Sequence, residues 1–295
     1  ARENSRLTGL EEDQAVAHAL YGQGILLLEI NDPVAARPLL EQALAQRESG
    51  LGPDHTATGW VLLDLGRIPL LAGRLEEARA LFQRALEIQE GAFGPSHPAL
   101  AMPLTMLATV DRRQGRTDQA RERFERALAI TEAVQGENHP DLVWMLVPYA
   151  RHLRLVGEID EGLEALERAR AIAERSFGTA HVETARVIEG FGYHYYGLRD
   201  FDAALRHFEL AGEIREQVFG AGHLALGWNR YDRACILALK GDRTAAIESL
   251  REALAVGWAT DRIFSDGDLD SLRGDRAFEA LAEEVRGRLG LPPSG

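Results

Sequence analysis

The 295-residue chain has one cysteine, Cys235, and one lysine, Lys240; all its other basic residues are arginine. A lone cysteine excludes a disulfide framework and any cysteine-based metal cluster within the chain, and it suits a reducing compartment, so a cytoplasmic protein is expected. No apolar run approaches the roughly 18 residues that span a bilayer, and no membrane partner is expected. A glycine-rich phosphate loop, a nucleophile elbow and a His-Glu-x-x-His pair are all missing. Enzymatic chemistry therefore finds no residues to stand on, and neither a cofactor nor a metal is expected. The net charge of −13 argues against general affinity for nucleic acid. The start, Ala1-Arg2-Glu3-Asn4, shows neither an initiator methionine nor a basic-then-apolar leader, and it reads as part of something longer or as a processed product. Arginine and alanine richness with almost no lysine fits a GC-rich bacterial genome.

What is present is a period. Gly-x-x-His recurs at Gly52/His55, Gly94/His97, Gly136/His139, Gly178/His181 and Gly220/His223, in steps of 42 residues without one insertion. Fixed self-similarity at this length implies a solenoid, in which each unit is too small to bury its apolar face and borrows its neighbour's. Within a unit the apolar spacing is helical. Leu62, Leu65, Gly66 and Pro69 share one face of a first helix, and Ala78, Leu81, Phe82, Ala85 and Ile88 follow the i, i+3, i+4, i+7 rule in a second. Gly73, Gly115, Gly157 and Gly241 mark the turns between paired helices, where a left-handed residue ends the first one. Small residues at Gly66, Ala108, Ala150, Gly192 and Ala234 allow close approach of the partner helix.

The succession of small residue, glycine turn, Ala, Phe or Leu, and Ala (Gly66, Gly73, Ala78, Phe82, Ala85) resembles the tetratricopeptide repeat. The longer unit, with segments such as ALEIQEGAFGPSHPALA, is similar to the kinesin-light-chain type. The resemblance implies an all-α, right-handed superhelical solenoid of about six helix-turn-helix repeats over residues 15–256. Residues 1–14 form a lead-in and 257–295 a C-terminal helical cap and tail, with Phe278, Leu281, Val285 and Leu289 as the apolar stripe of the cap. Two repeats depart from the pattern: Asn31 and Pro33 stand at the first turn, and Arg199 replaces the turn glycine of the fifth. The paired asparagines that the resemblance implies for clamping a peptide backbone are replaced by Leu63-Asp64, Thr105-Met106, Val147-Pro148, Glu189-Gly190 and Tyr231-Asp232. Pro69 and Pro148 fall within first helices and should bend them or end them early.

The periodic histidines read as structural residues ahead of each first helix, since successive units stand roughly 8–10 Å apart and one zinc ion needs ligands at about 2 Å. Asp266, Asp268 and Asp270 start like a calcium loop, but Ser271 and Ala277 stand where that loop needs Gly and Glu. Cys235 reads as buried and inert. The resemblance puts the first helices on the inner wall, where helical spacing selects candidate peptide-binding residues. They are Trp60 and Arg67 in the second repeat, Met102 and Arg112 in the third, and Trp144, Arg151 and Arg154 in the fourth. The fifth supplies Arg186, Tyr193 and Tyr196, and the sixth Trp228 and Tyr231. Counting Arg113 as well, this face sets six arginines against Glu29 and Glu189. Aromatic and arginine side chains dominate binding hot spots, and guanidinium forks match carboxylate or phosphate. The expected function is non-enzymatic binding of an extended acidic or phosphorylated peptide, as a scaffold or regulatory part of a larger bacterial signalling protein. The alternatives are a sensor whose superhelix changes pitch around a small ligand or peptide, and a binder of single-stranded nucleic acid.

Overall fold

The computed structural model describes residues 2–29 and 32–292, with side chains from Asp13 onward. Among these residues there are α-helices and short 3-10 turns but no strand. Helical hairpins follow one another as the 42-residue period requires. They are α1 (Arg2–Glu29) with α2 (Pro33–Leu51), α3 (Thr56–Leu71) with α4 (Leu75–Phe93), and α5 (Ala101–Arg113) with α6 (Thr117–Gln135). Then come α7 (Leu142–Leu155), α8 (Ile159–Phe177), α9 (Val182–Gly197) with α10 (Phe201–Phe219), α11 (Leu226–Leu239) with α12 (Arg243–Ala255), and a final α13 (Arg276–Arg288). The chain divides into two compact units, Ala1–His152 and Leu153–Gly295, with the boundary inside α7.

Each periodic histidine has a visible task. The Nδ1 atoms of His55, His97, His139, His181 and His223 accept the backbone N–H two residues on, at 3.1–3.3 Å. An otherwise orphaned donor is thereby satisfied where the chain enters each of these five repeats, at the first turn of α3 and α9 and just ahead of α5, α7 and α11. Phe93, Phe177 and Phe219 stack on three of these imidazoles, with ring centroids 4.4–4.9 Å apart, and fix the ring that caps.

The hairpin turns also follow the sequence. Gly73, Gly115, Gly157 and Gly241 all have positive φ, and Arg199 holds the same left-handed conformation at φ 62° without being glycine. Asn31 lies outside the described residues. Behind the turns, Phe82, Phe124 and Phe208 are buried. The Phe82 ring occupies the space a Cβ on Gly66 would need, at 2.5 Å, and Phe208 does the same at Gly192, at 2.9 Å. Burying such a ring stabilises the hairpin by about 1.5–3 kcal/mol.

Pro69 and Pro148 both lie inside helices, α3 running on to Leu71 and α7 to Leu155. Each proline removes one N–H···O=C bond from its helix. In the cap, Phe278, Leu281 and Val285 are buried as expected, but Leu289 is exposed because α13 ends at Arg288, one residue before it.

Candidate functional site

Within each unit, first helices of neighbouring repeats lie side by side, as their cross-links show. In the first unit the Tyr21 hydroxyl of α1 donates to Asp64 of α3 at 2.7 Å, Arg67 bridges Asp64 and Glu29 at 3.1 and 3.3 Å, and Arg113 of α5 donates to the Leu70 carbonyl. Trp60, Met102 and Trp144 occupy one repeat position on α3, α5 and α7. Both tryptophans are exposed, by 40 % and 45 %, and Met102 between them in sequence is half-buried. Arg151 is exposed and Arg112 half-buried.

Next to Arg112, the fully buried Asp111 receives three guanidinium groups, from Arg79, Arg116 and Arg123. Such a carboxylate costs several kcal/mol to desolvate without partners, and these three overcompensate it. The cluster reaches further through Gln114, which accepts from Arg79 at 2.9 Å and donates to the Glu76 carboxylate at 2.5 Å. Burial, and then the Arg79 charge, lower the pKa of Arg123.

The second unit is built differently. Three tyrosines expected on the binding face are engaged by carboxylates: Tyr193 donates to Asp232, Tyr196 to Asp268 at 2.8 Å, and Tyr231 to Asp266 at 2.8 Å. Burial pushes the Tyr196 and Tyr231 hydroxyls well above the usual phenol range. Tyr231 is 2 % exposed, packed on Trp258 with centroids 4.8 Å apart, so it is a core residue and not a peptide contact. Trp228 is half-buried and stands edge-on to the same Trp258 at 5.1 Å. Trp258 can dock there because Gly227 has no side chain: a Cβ would meet it at 2.3 Å. Arg186 is tied to Glu183 at 2.6 Å, and burial lowers its pKa; Arg154 lies over Gly197, which leaves it room.

These contacts change the charge count of the face. Glu189 is taken by Arg215 of α10 through two hydrogen bonds, at 2.7 and 3.0 Å. Asp64, Asp232, Asp266 and Asp268, which the sequence count left out, join the first-helix side chains. Asp232 is half-buried, and burial together with the Glu189 charge pushes its carboxyl up to about 8. Asp268 is raised by burial, and the Cys235 thiol is raised by burial and then by Asp266. On the candidate face of the first unit, Arg67, Arg112, Arg113 and Arg151 stand against Glu29 and Asp64. One signal for the missed aspartates was available: Tyr21 and Asp64 are one period plus one residue apart.

The repeat pattern, the capped hairpins and the paired small residue and phenylalanine agree with a family profile, the tetratricopeptide repeat, which matches residues 15–91, 70–133, 104–147, 141–217 and 188–256. The chain belongs to the tetratricopeptide repeat family. Among solved structures it is similar to a kinesin-light-chain protein of Podosopora anserina with nearly identical TPR-like repeats. That match has 21 % identity and TM-score 0.50, and covers 70 % of this chain and 98 % of the other. It is also similar to BtubC (BKLC) of P. vanneervenii, at 20 % identity and TM-score 0.54, over 84 % of this chain and 91 % of the other. A third is in the APC/C hetero-tetramer Cut9-Hcn1, at 15 % identity and TM-score 0.56, over 88 % of this chain and 42 % of that one. These identities establish the fold alone. No curated protein matches the sequence. Tetratricopeptide repeat proteins are generally protein–protein interaction scaffolds, typically without enzymatic activity. No helix among the described residues is long and apolar enough to cross a membrane.

Proposed function

We propose that the first unit binds an extended peptide along α3, α5 and α7, with acidic or phosphorylated residues directed to arginine and apolar ones to tryptophan. The observation that supports this most is the exposure of Trp60 and Trp144 at equivalent positions of two repeats, with Met102 at the same position between them. Large exposed aromatics are the usual anchors of interfaces, and a solenoid that needed them for its own packing would bury them. Arg112 of α5 and Arg151 of α7 lie on the same helices in a chain of net charge −13, and they would meet the acidic residues of a partner. In this reading residues 15–256 carry the repeats and 257–295 close the last of them. The chain acts in the cytoplasm as a scaffold or regulatory part of a larger bacterial signalling protein.

The test is an array of extended peptides, neutral, acidic and phosphorylated, probed with the full chain and with two variants. Trp60→Ala with Trp144→Ala should weaken capture of acidic peptides at least tenfold while helical content stays constant; a truncated hot-spot residue typically costs about 2 kcal/mol or more. Arg112→Glu with Arg151→Glu should reverse the preference from acidic to neutral or basic sequences. Equal capture of all three classes by the wild-type chain would sink the acidic specificity, and unchanged capture by the tryptophan variant would sink the site.

A further inference from the structure

In the second unit the thiol of Cys235, on α11, meets two carboxylates from the 3-10 turn that follows the last repeat. One donor atom each from Cys235, Asp266 and Asp268 lies within 4.8 Å of the other two. The acidic pair alone would be a solvated turn. The second and independent observation is the sulfur: Cys235 is a free thiol, 6 % exposed, held among apolar neighbours and aimed into the pair. No ion pair engages Asp266 or Asp268 among the described residues. Two carboxylates at such a place, with the Arg199 charge acting on Asp268 only from beyond ion-pair distance, are an arrangement that a bound cation would relieve.

We propose that Cys235, Asp266 and Asp268 form a binding site for a divalent ion of the zinc class, which ties α11 to the closing turn. A zinc ion binds sulfur at about 2.3 Å and carboxylate oxygen at about 2.0–2.2 Å, so in a tetrahedral site two of its donors stand roughly 3.3–3.7 Å apart. The donors lie within 4.8 Å of one another, so binding would draw the closing turn and α11 together by up to about 1 Å. A sulfur donor disfavours calcium and magnesium, which take oxygen, and favours zinc or cobalt.

The outer shell suits this use. The Tyr196 hydroxyl donates to Asp268 and the Tyr231 hydroxyl to Asp266, so each carboxylate is oriented by a phenol while keeping lone pairs for a metal. The turn is docked on α11 through Ser271, whose hydroxyl donates to the Ala238 carbonyl at 3.1 Å. Asp266 is held from behind by Arg273, whose guanidinium donates to its backbone carbonyl at 3.3 Å. Three protein donors leave one tetrahedral position for water.

The experiment uses the full chain titrated with Co²⁺ alone and then Zn²⁺ alone. Cobalt bound to a cysteine thiolate gives a sulfur-to-metal charge-transfer band, which no histidine or carboxylate site produces. The wild-type chain should show that band at one equivalent of metal, and zinc should displace it. Cys235→Ser should abolish the band, and Asp268→Asn should weaken cobalt affinity at least tenfold. Because Asp268 also holds Tyr196, circular dichroism accompanies each titration. Zinc protection of the Cys235 thiol from alkylation in the wild-type chain is read as a second measurement that needs no variant. The five capping imidazoles are the control, since any metal they take persists in Cys235→Ser. Cobalt binding without the band, equal zinc affinity of wild type and Cys235→Ser, or alkylation unaffected by zinc would each overturn the proposal.

Discussion

At the scale of single residues, Arg199 shows how a repeat tolerates a departure from its own rule. Four turns of this class have glycine at the left-handed position, Gly73, Gly115, Gly157 and Gly241, and Arg199 takes up that conformation with a full side chain. A non-glycine residue there costs about 1–2 kcal/mol. Its guanidinium lies 5.3 Å from the centroid of the Phe201 ring, and an exposed cation–π contact returns about 0.5–1 kcal/mol. Relief of strain therefore exceeds the lost contact, and Arg199→Gly should raise stability by a few tenths to about 1 kcal/mol, read as a higher urea midpoint at unchanged slope. A lower midpoint would mean that the Phe201 contact outweighs the backbone. The substitution at Arg199 could be read from the sequence because the period aligned it with glycine; the phenol–carboxylate pairs could not, because no local pattern marks them.

At the scale of elements, neighbouring first helices are joined by polar contacts as well as by apolar packing. Tyr193 of α9 and Asp232 of α11 form one such joint, and its carboxyl titrates near 8 against an ordinary 3.8. A raised pKa means that the folded chain keeps this proton through a range in which the unfolded chain has lost it. The stability this group contributes is intact below about pH 4, falls as pH rises, and changes no further above about pH 8. Asp232→Asn keeps an acceptor for Tyr193 and removes the titration, so its advantage over wild type should grow between about pH 4 and pH 8. Denaturation midpoints of both chains across that range check this, and a constant difference would place the titration elsewhere. The helices, their order and their turn glycines were legible in the sequence because period and amphipathic spacing are local. The composition of the candidate face was legible only in part. Trp60 and Trp144 are exposed at their expected positions, whereas Tyr231 is covered by Trp258, which follows the last repeat and has no counterpart in the period.

At the scale of the whole molecule, stability is divided between two units, each with its own buried aromatic residues. Phe124 packs against Ala108 and Ala120 in the first. Phe124→Ala should cost about 3–5 kcal/mol there, as expected for a buried ring. Since repeats stabilise mainly their neighbours, hydrogen exchange should quicken in α5 and α6 and stay unchanged in α11 to α13. Uniform acceleration along the chain would show instead that the repeats unfold as one body. The histidine caps carry a different consequence. Every junction between hairpins has the same chemistry, a helix end, a glycine and an imidazole that starts the next helix. Joining Phe93 directly to Gly136 would delete 42 residues and still leave His139 its own N–H to accept. Internal repeats are therefore interchangeable cassettes, and the length of the array can be gained or lost in whole units without inventing a new joint. The last repeat is exempt: Trp258 over Gly227 and Asp266 under Tyr231 make it a terminus that fits only one place in the series.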